Sequence, residues 1–357
     1  MNATLRGALV LLLLLGPSGF DSASAAETEP VVDERIRLKL DTDEADAVLA
    51  ILARVKAGRE IDEREWQRLF KSRPYLRLKQ RESQMHRDFS DDEFRQFVLS
   101  PELAQRADDL SRTLEAWRQT DLAASARRVL AYLPDSARIQ ASVYPVIKPR
   151  TNSFVFEPAK DAAIFLYLDT RLSAAQFENT VAHEMHHIGF ASVESLKVAR
   201  LGNLPPNVKS AIEWMGAFGE GFAMLAAAGG PDAHPHATSP PEERAGWDRD
   251  MAHFNADLKR AQKFFLDILN GRLRTEDEIA KVGFTFFGVQ GPWYTVGYRM
   301  AVLIEKRYGR ATLIECMQDP RILLARYNAV AAAANRAGGK RLALWSPELL
   351  RKIGAGR

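Results

Sequence analysis

His183 and His187 stand four residues apart, and Glu184 directly follows the first of them. In a helix, both imidazoles would lie on one face about one turn apart, with the glutamate about 100° round the helix. Two imidazoles at this spacing can bind one metal ion, and the carboxylate can hold a water at that ion. The spacing therefore predicts a hydrolase with one Zn²⁺ ion. The alternative is a surface helix whose histidines have no such role.

The segment that carries the histidines has the pattern of an amphipathic helix. Ser173 and Gln176 have the spacing of a capping box, which predicts a helix that begins there and ends near Phe190. Apolar residues repeat at helical spacing on the side opposite the histidine pair: Phe177, Val181, Met185 and Ile188. His186 lies about 60° from His183 and is a second, less favoured choice of ligand.

A catalytic zinc usually takes three protein ligands and one water. Val193 occupies the position at which an extended motif would place a third histidine. Glu194 follows the predicted end of the helix. Glu220 is the better candidate, because it lies among small residues of a second predicted helix, 208–228, where a buried carboxylate needs a cation or a donor. Glu213, two turns earlier, either hydrogen-bonds a ligand histidine or faces solvent.

These two helices together resemble the gluzincin class of zinc metallopeptidases. The histidine motif is followed by a helix with glutamate in a Glu-Gly-x-Ala setting, at residues 220–223. The chain most resembles poorly characterised, exported bacterial zinc-dependent peptidases, over roughly residues 140–330. It departs from the thermolysin pattern at Met224, where those enzymes have an aspartate that supports a histidine. Close kinship to thermolysin is therefore not expected.

The resemblance implies hydrolysis of a peptide or protein substrate. Zn²⁺ would be held by His183, His187 and Glu220, with Glu184 as general base. In similar peptidases the substrate lies extended along an edge strand near the site. The apolar run 163–168 is the expected counterpart here.

Peptide hydrolysis also needs a donor to the developing oxyanion. Tyr294 begins a tyrosine-x-x-glycine helix comparable to one in the resembled peptidases, and it is the predicted donor. Alternatively, Tyr294 and Tyr298 both pack in the core. His234 and His236, in a proline-rich loop, either reach over the site or are exposed.

The first 26 residues have the features of a secretory signal peptide. Arg6 precedes the apolar run 8–15, which is too short to span a bilayer comfortably, and small residues at 23–25 offer a cleavage site. The sequence thus predicts an exported protein, periplasmic or secreted, without stable membrane insertion after cleavage. The single cysteine excludes an intramolecular disulfide, and the net charge of +3 without a basic stripe argues against nucleic-acid binding.

The remaining chain predicts an α+β, predominantly helical fold. Residues 33–134 have helical periodicity throughout, with breaks at glycine and proline. Three strands are expected at 139–147, 153–156 and 163–168. We therefore expect a signal peptide (1–26), an N-terminal helical subdomain (27–134) and a zincin-like catalytic domain with a small sheet (135–357).

Two other functions remain open at the level of sequence. One is a non-peptidase zinc hydrolase that acts on another amide or ester. The other is an inactive, zincin-like metal-binding protein. The presence of Glu184 argues against the second function, because a structural metal site needs no base.

Overall fold

The structure is a computed structural model that describes residues 33–193, 204–288, 290–338 and 341–355. The predicted signal peptide and Glu194 lie outside these residues. The described part of the chain forms two compact units. The first contains residues up to Ala123 together with Ile139–Val181, and the second contains Ala124–Arg138 and the chain from Ala182 onwards.

The first unit is built on a four-stranded mixed sheet. Its strands are β1 (Ile36–Leu40), β2 (Ile139–Val146), β3 (Phe154–Phe156) and β4 (Ala163–Tyr167). The order is β1-β2-β4-β3, in which β1–β2 and β2–β4 pair in parallel and β3–β4 pair antiparallel. Every residue of β4 is buried, as its continuous apolar run predicts.

Two expectations about this sheet are wrong. Residues 33–134 are not helical throughout, because β1 lies within them. Its sequence Ile-Arg-Leu-Lys-Leu alternates apolar and basic residues with the period of a strand. The run 163–168 does not supply an edge strand, since β4 lies between β2 and β3. The edges of the sheet are β1 and β3.

Short helices fill most of the chain between β1 and β2. They are α1 (Asp43–Lys56), α2 (Glu63–Phe70), α3 (Arg73–Gln84), α4 (Asp91–Val98), α5 (Pro101–Gln105), α6 (Ala107–Arg118) and α7 (Leu122–Leu130). Capping boxes begin α2 at Asp62 and α4 at Ser90. The helix after β4, α8 (Ala174–Ala191), contributes residues 174–181 to the first unit and 182–191 to the second.

The second unit is helical over its described residues. Its helices after α8 are α9 (Pro206–Met215), α10 (Gly219–Ala228), α11 (Pro241–Ala252), α12 (Phe254–Leu269), α13 (Glu276–Gly283), α14 (Pro292–Tyr308), α15 (Arg310–Gln318), α16 (Pro320–Arg336) and α17 (Pro347–Ile353). A predominantly helical α+β fold is thus confirmed. No helix in the described ranges is long and apolar enough to cross a membrane.

The predicted domain boundary at residue 134 does not coincide with the division between the compact units. The sheet belongs to the same unit as the N-terminal helices, whereas residues 124–138 belong to the second unit. The predicted domains themselves stay a prediction.

Helices α10 and α14 touch backbone to backbone. A Cβ atom on Gly221 would lie 1.9 Å from the amide nitrogen of Tyr298, and one on Gly297 would lie 2.4 Å from the carbonyl oxygen of Phe218. No side chain fits at either position, so two glycines set the distance between the helices. Trp293 packs beside this contact, with its ring centroid 5.3 Å from that of Phe218.

This contact yields a test with a control in the same helix. We expect Gly221→Ala to lower the free energy of unfolding by about 3 kcal/mol, because the added methyl group meets backbone that cannot move aside. Gly219→Ala meets no atom within 4 Å and should be neutral or stabilising by up to about 1 kcal/mol. Urea unfolding followed by circular dichroism compares the two variants. Equal stabilities would contradict the close contact.

Candidate metal centre

Helix α8 presents the predicted histidine pair. The capping box at its start is present: the Gln176 amide nitrogen lies 3.2 Å from the Ser173 Oγ, and the Ser173 nitrogen donates to the Gln176 side chain at 3.0 Å. One turn of helix separates His183 and His187, and their Nε2 atoms lie 3.1 Å apart. The helix therefore holds both imidazoles with the same ring atom directed to one point.

Glu220, in the first turn of α10, completes the cluster. Its Oε2 lies 3.1 Å from Nε2 of His183 and 3.2 Å from Nε2 of His187. The side chain is buried, with the residue 5 % exposed. Among the described residues, His183, His187 and Glu220 form the one group of three or more such side chains that could hold a metal ion.

A short 3₁₀ turn, Gly216–Phe218, separates Glu213 from Glu220. The predicted continuous helix 208–228 is divided by this turn into α9 and α10. Three residues at about 120° instead of 100° rotate α10 by about 60° relative to α9. Glu213 lies about two turns before Glu220, is exposed and pairs with Lys209 at 3.9 Å. Of its two predicted roles, the structure therefore favours the one in which it faces solvent.

The spacing of the three atoms fits a tetrahedral zinc ion. With metal–ligand distances of about 2.0–2.2 Å, tetrahedral coordination separates ligand atoms by roughly 3.3 Å. The three observed separations, 3.1, 3.1 and 3.2 Å, are close to this value. Two histidines and one glutamate are also a known ligand set of catalytic zinc. The residues present therefore fit the ion that the motif predicts.

The electrostatics of the cluster favour a cation. Burial alone would raise the pKa of Glu220, but the two histidines outweigh it and hold that pKa well below its usual range. Burial alone would lower the pKa of His187, but the Glu220 carboxylate raises it. A negative carboxylate thus stabilises positive charge at this point, whether that charge is a proton or a metal ion.

Glu184 lies beside the cluster without a partner of its own. The residue is 1 % exposed, and neither carboxylate oxygen has a hydrogen-bond partner within the described part of the chain. Burial raises the pKa of Glu184, the charges of His183 and His187 oppose this, and that of Glu220 reinforces it. An unpartnered, buried carboxylate is costly, and a role in binding water or a proton accounts for it.

Of the two candidate tyrosines, only Tyr294 lies at the cluster. Its ring is stacked near that of His183, with centroids 6.2 Å apart and planes at 23°. Burial and the nearby carboxylates raise the pKa of Tyr294, so the phenol keeps its proton. Tyr298 instead donates to the carbonyl oxygen of Ala233 at 3.1 Å.

Comparison with known families agrees with this geometry. Residues 63–336 match the family model described as "Putative zinc dependent peptidase (DUF5700)". The chain belongs to this family. The match contains the three clustered side chains, Glu184 and Tyr294, and it begins well before residue 140, where the resemblance was expected to start. Searches of curated proteins and of solved structures each found no match.

The description of the family names zinc, as the histidine motif predicts. The structure shows which of the other histidines lie outside the cluster. His186 is buried, but it is not a member of the three-residue cluster. His234 and His236 are neither free nor fully exposed, since His234 lies 3.1 Å from Asp248 and His236 contacts Trp247. The helical pattern does not predict the contacts of His234 and His236, because their partners lie more than ten residues away in the sequence.

The three candidate ligands can be tested by metal content. We expect the purified chain to hold about one zinc ion, and His183→Ala or Glu220→Ala to weaken binding by more than the roughly 10–100-fold typical of outer-shell changes. Elemental analysis after dialysis against a chelator measures this. Glu213→Ala is the control, because that glutamate is exposed. Retention of tightly bound zinc by Glu220→Ala would show that another residue is the third ligand.

Proposed function

We propose that this chain is an exported peptidase of the gluzincin type, which binds one Zn²⁺ through His183, His187 and Glu220. The observation that carries the proposal is the convergence of three ligand atoms 3.1–3.2 Å apart in the interior of the second unit. Export to the periplasm or the medium rests on the N-terminal sequence alone.

The bound ion would act as a Lewis acid and activate a water for attack on the peptide carbonyl. Glu184 takes a proton from the attacking water and passes it to the leaving amine. Glu184 is buried and directly follows His183 in the chain, so its carboxylate lies beside the proposed ion, where it can accept and return a proton.

Tyr294 donates a hydrogen bond to the oxyanion that develops on the attacked carbonyl. The phenol keeps its proton, and its ring lies beside that of His183 in the cluster. A donor fixed before reaction is effective because it needs no reorganisation when charge develops.

The two alternatives are less well supported. The family description names a peptidase, which favours peptide over other amide or ester substrates. In an inactive metal-binding protein, nothing would offset the cost of burying Glu184, since neither oxygen has a partner among the described residues. A peptide-library screen, with zinc-loaded protein, tests the proposal directly.

Substitution of Glu184 can distinguish an effect on catalysis from an effect on metal binding. We expect Glu184→Gln to lower the rate of peptide hydrolysis by about 10²–10⁴-fold, the usual contribution of a general base, while zinc content stays unchanged. Glu213→Gln is the matched control, because its carboxylate is exposed. Undiminished hydrolysis by Glu184→Gln would refute the assignment.

The role of Tyr294 is tested through the turnover number. Tyr294→Phe removes one donor to the oxyanion, so kcat should fall by about 10²–10³-fold with little change in KM. Tyr308→Phe, at the exposed end of the same helix, should retain activity. An effect on KM alone would indicate substrate binding instead of stabilisation of the oxyanion.

A further inference from the structure

The segment between α10 and α11, residues 229–240, runs along helix α14 as a strap. Three of its residues contact that helix or the residue before its N-cap. The Asp232 carboxylate pairs with Nζ of Lys306 at 2.6 Å, and the Ala233 carbonyl accepts from Tyr298. His236 lies against Gln290, with Nε2 of the histidine 3.2 Å from Nε2 of the glutamine.

These contacts occur in opposite order along the two segments. As the strap proceeds from 232 to 233 to 236, its partners proceed from 306 to 298 to 290. Lys306 and Tyr298 are eight residues apart on α14, slightly more than two turns, and Gln290 precedes the helix. The strap therefore runs antiparallel to the helix and reaches its N-terminal end through His236.

His236 is held in one protonation state and one orientation. Burial, followed by the charge of His234, lowers the pKa of His236 to about 4, so the imidazole is neutral at neutral pH. Nε2 accepts from the Gln290 amide, and Nδ1 lies 3.1 Å from the Ser239 hydroxyl, to which it donates. The ring packs against Trp247, with centroids 5.3 Å apart.

Gln290 directly precedes the N-cap of α14. Gly291 is that N-cap, and a Cβ atom there would lie 2.2 Å from the carbonyl oxygen of Phe286. The amide nitrogen of Tyr294 donates to the Gly291 carbonyl at 2.9 Å. Tyr294 thus lies between two fixed points of the helix: Gln290 and Gly291 at its start, and Gly297 against α10.

We propose that His236 is a positioning residue: through Gln290 it fixes the first turn of α14, and with it the Tyr294 hydroxyl beside His183 and Glu220. The inference rests on the proposed role of Tyr294 and extends it to a residue that does not touch the cluster. A displacement of about 1 Å at a reacting group can cost as much as 10²-fold in rate, so a distant hydrogen bond can influence turnover.

Hydrogen–deuterium exchange of the full chain tests the restraint without any need for activity. Amides 294–298 should exchange about three- to tenfold faster in His236→Ala and in Gln290→Ala, as loss of one hydrogen bond implies. The double variant should exchange no faster than either single variant, because both remove the same contact. His253→Ala, an exposed histidine in the same unit, is the control. Unchanged exchange, or fully additive effects, would overturn the proposal.

Kinetics then distinguish positioning from general stability. With a cleaved peptide in hand, His236→Ala should lower kcat about tenfold, with KM and zinc content unchanged. His236→Gln should recover part of kcat, since its amide oxygen can accept from Gln290. Faster exchange with unaltered kcat would also overturn the proposal. If no peptide is cleaved, the proposed function fails, and the exchange rates alone decide whether His236 restrains the helix.

Discussion

A carboxylate removed from water must be compensated by positive charge or by hydrogen-bond donors, and this requirement governs the second unit. Glu220 is buried, and its Oε2 faces the Nε2 atoms of His183 and His187. The next residue, Gly221, allows α10 to contact α14 directly. Two consecutive residues therefore have complementary roles. Glu220 supplies the negative charge, and Gly221 allows the helix contact that brings Tyr294 close to that charge.

The local features of the site follow from sequence because short-range rules determine them. The capping box and the apolar repeat of α8 depend on residues three and four apart, and the structure contains both. Glu220 was identified by the same kind of reasoning, from the cost of a carboxylate among small side chains. The strands β2, β3 and β4 likewise appear where apolar runs predict them.

What sequence did not predict depends on contacts between distant segments. The order of the strands is set by pairing across the sheet, so nothing within 163–168 indicates that β4 lies inside it. The 3₁₀ turn before α10 interrupts the predicted continuous helix, and Glu213, on the N-terminal side of this turn, is exposed. Tyr294 and Tyr298 lie about one turn apart on α14, so their spacing does not distinguish them. The structure does, because Tyr294 stacks near His183 whereas Tyr298 donates to the Ala233 carbonyl.

The clustered side chains come from two helices, α8 and α10, separated by 27 residues between Ala191 and Gly219. An ion that binds all three would act as a cross-link, and its binding energy would add to the stability of the folded state. At a free ion concentration 100 times the dissociation constant, this linkage contributes about 2.7 kcal/mol. The resistance of the second unit to unfolding and proteolysis would then follow the supply of metal in the compartment where the chain resides.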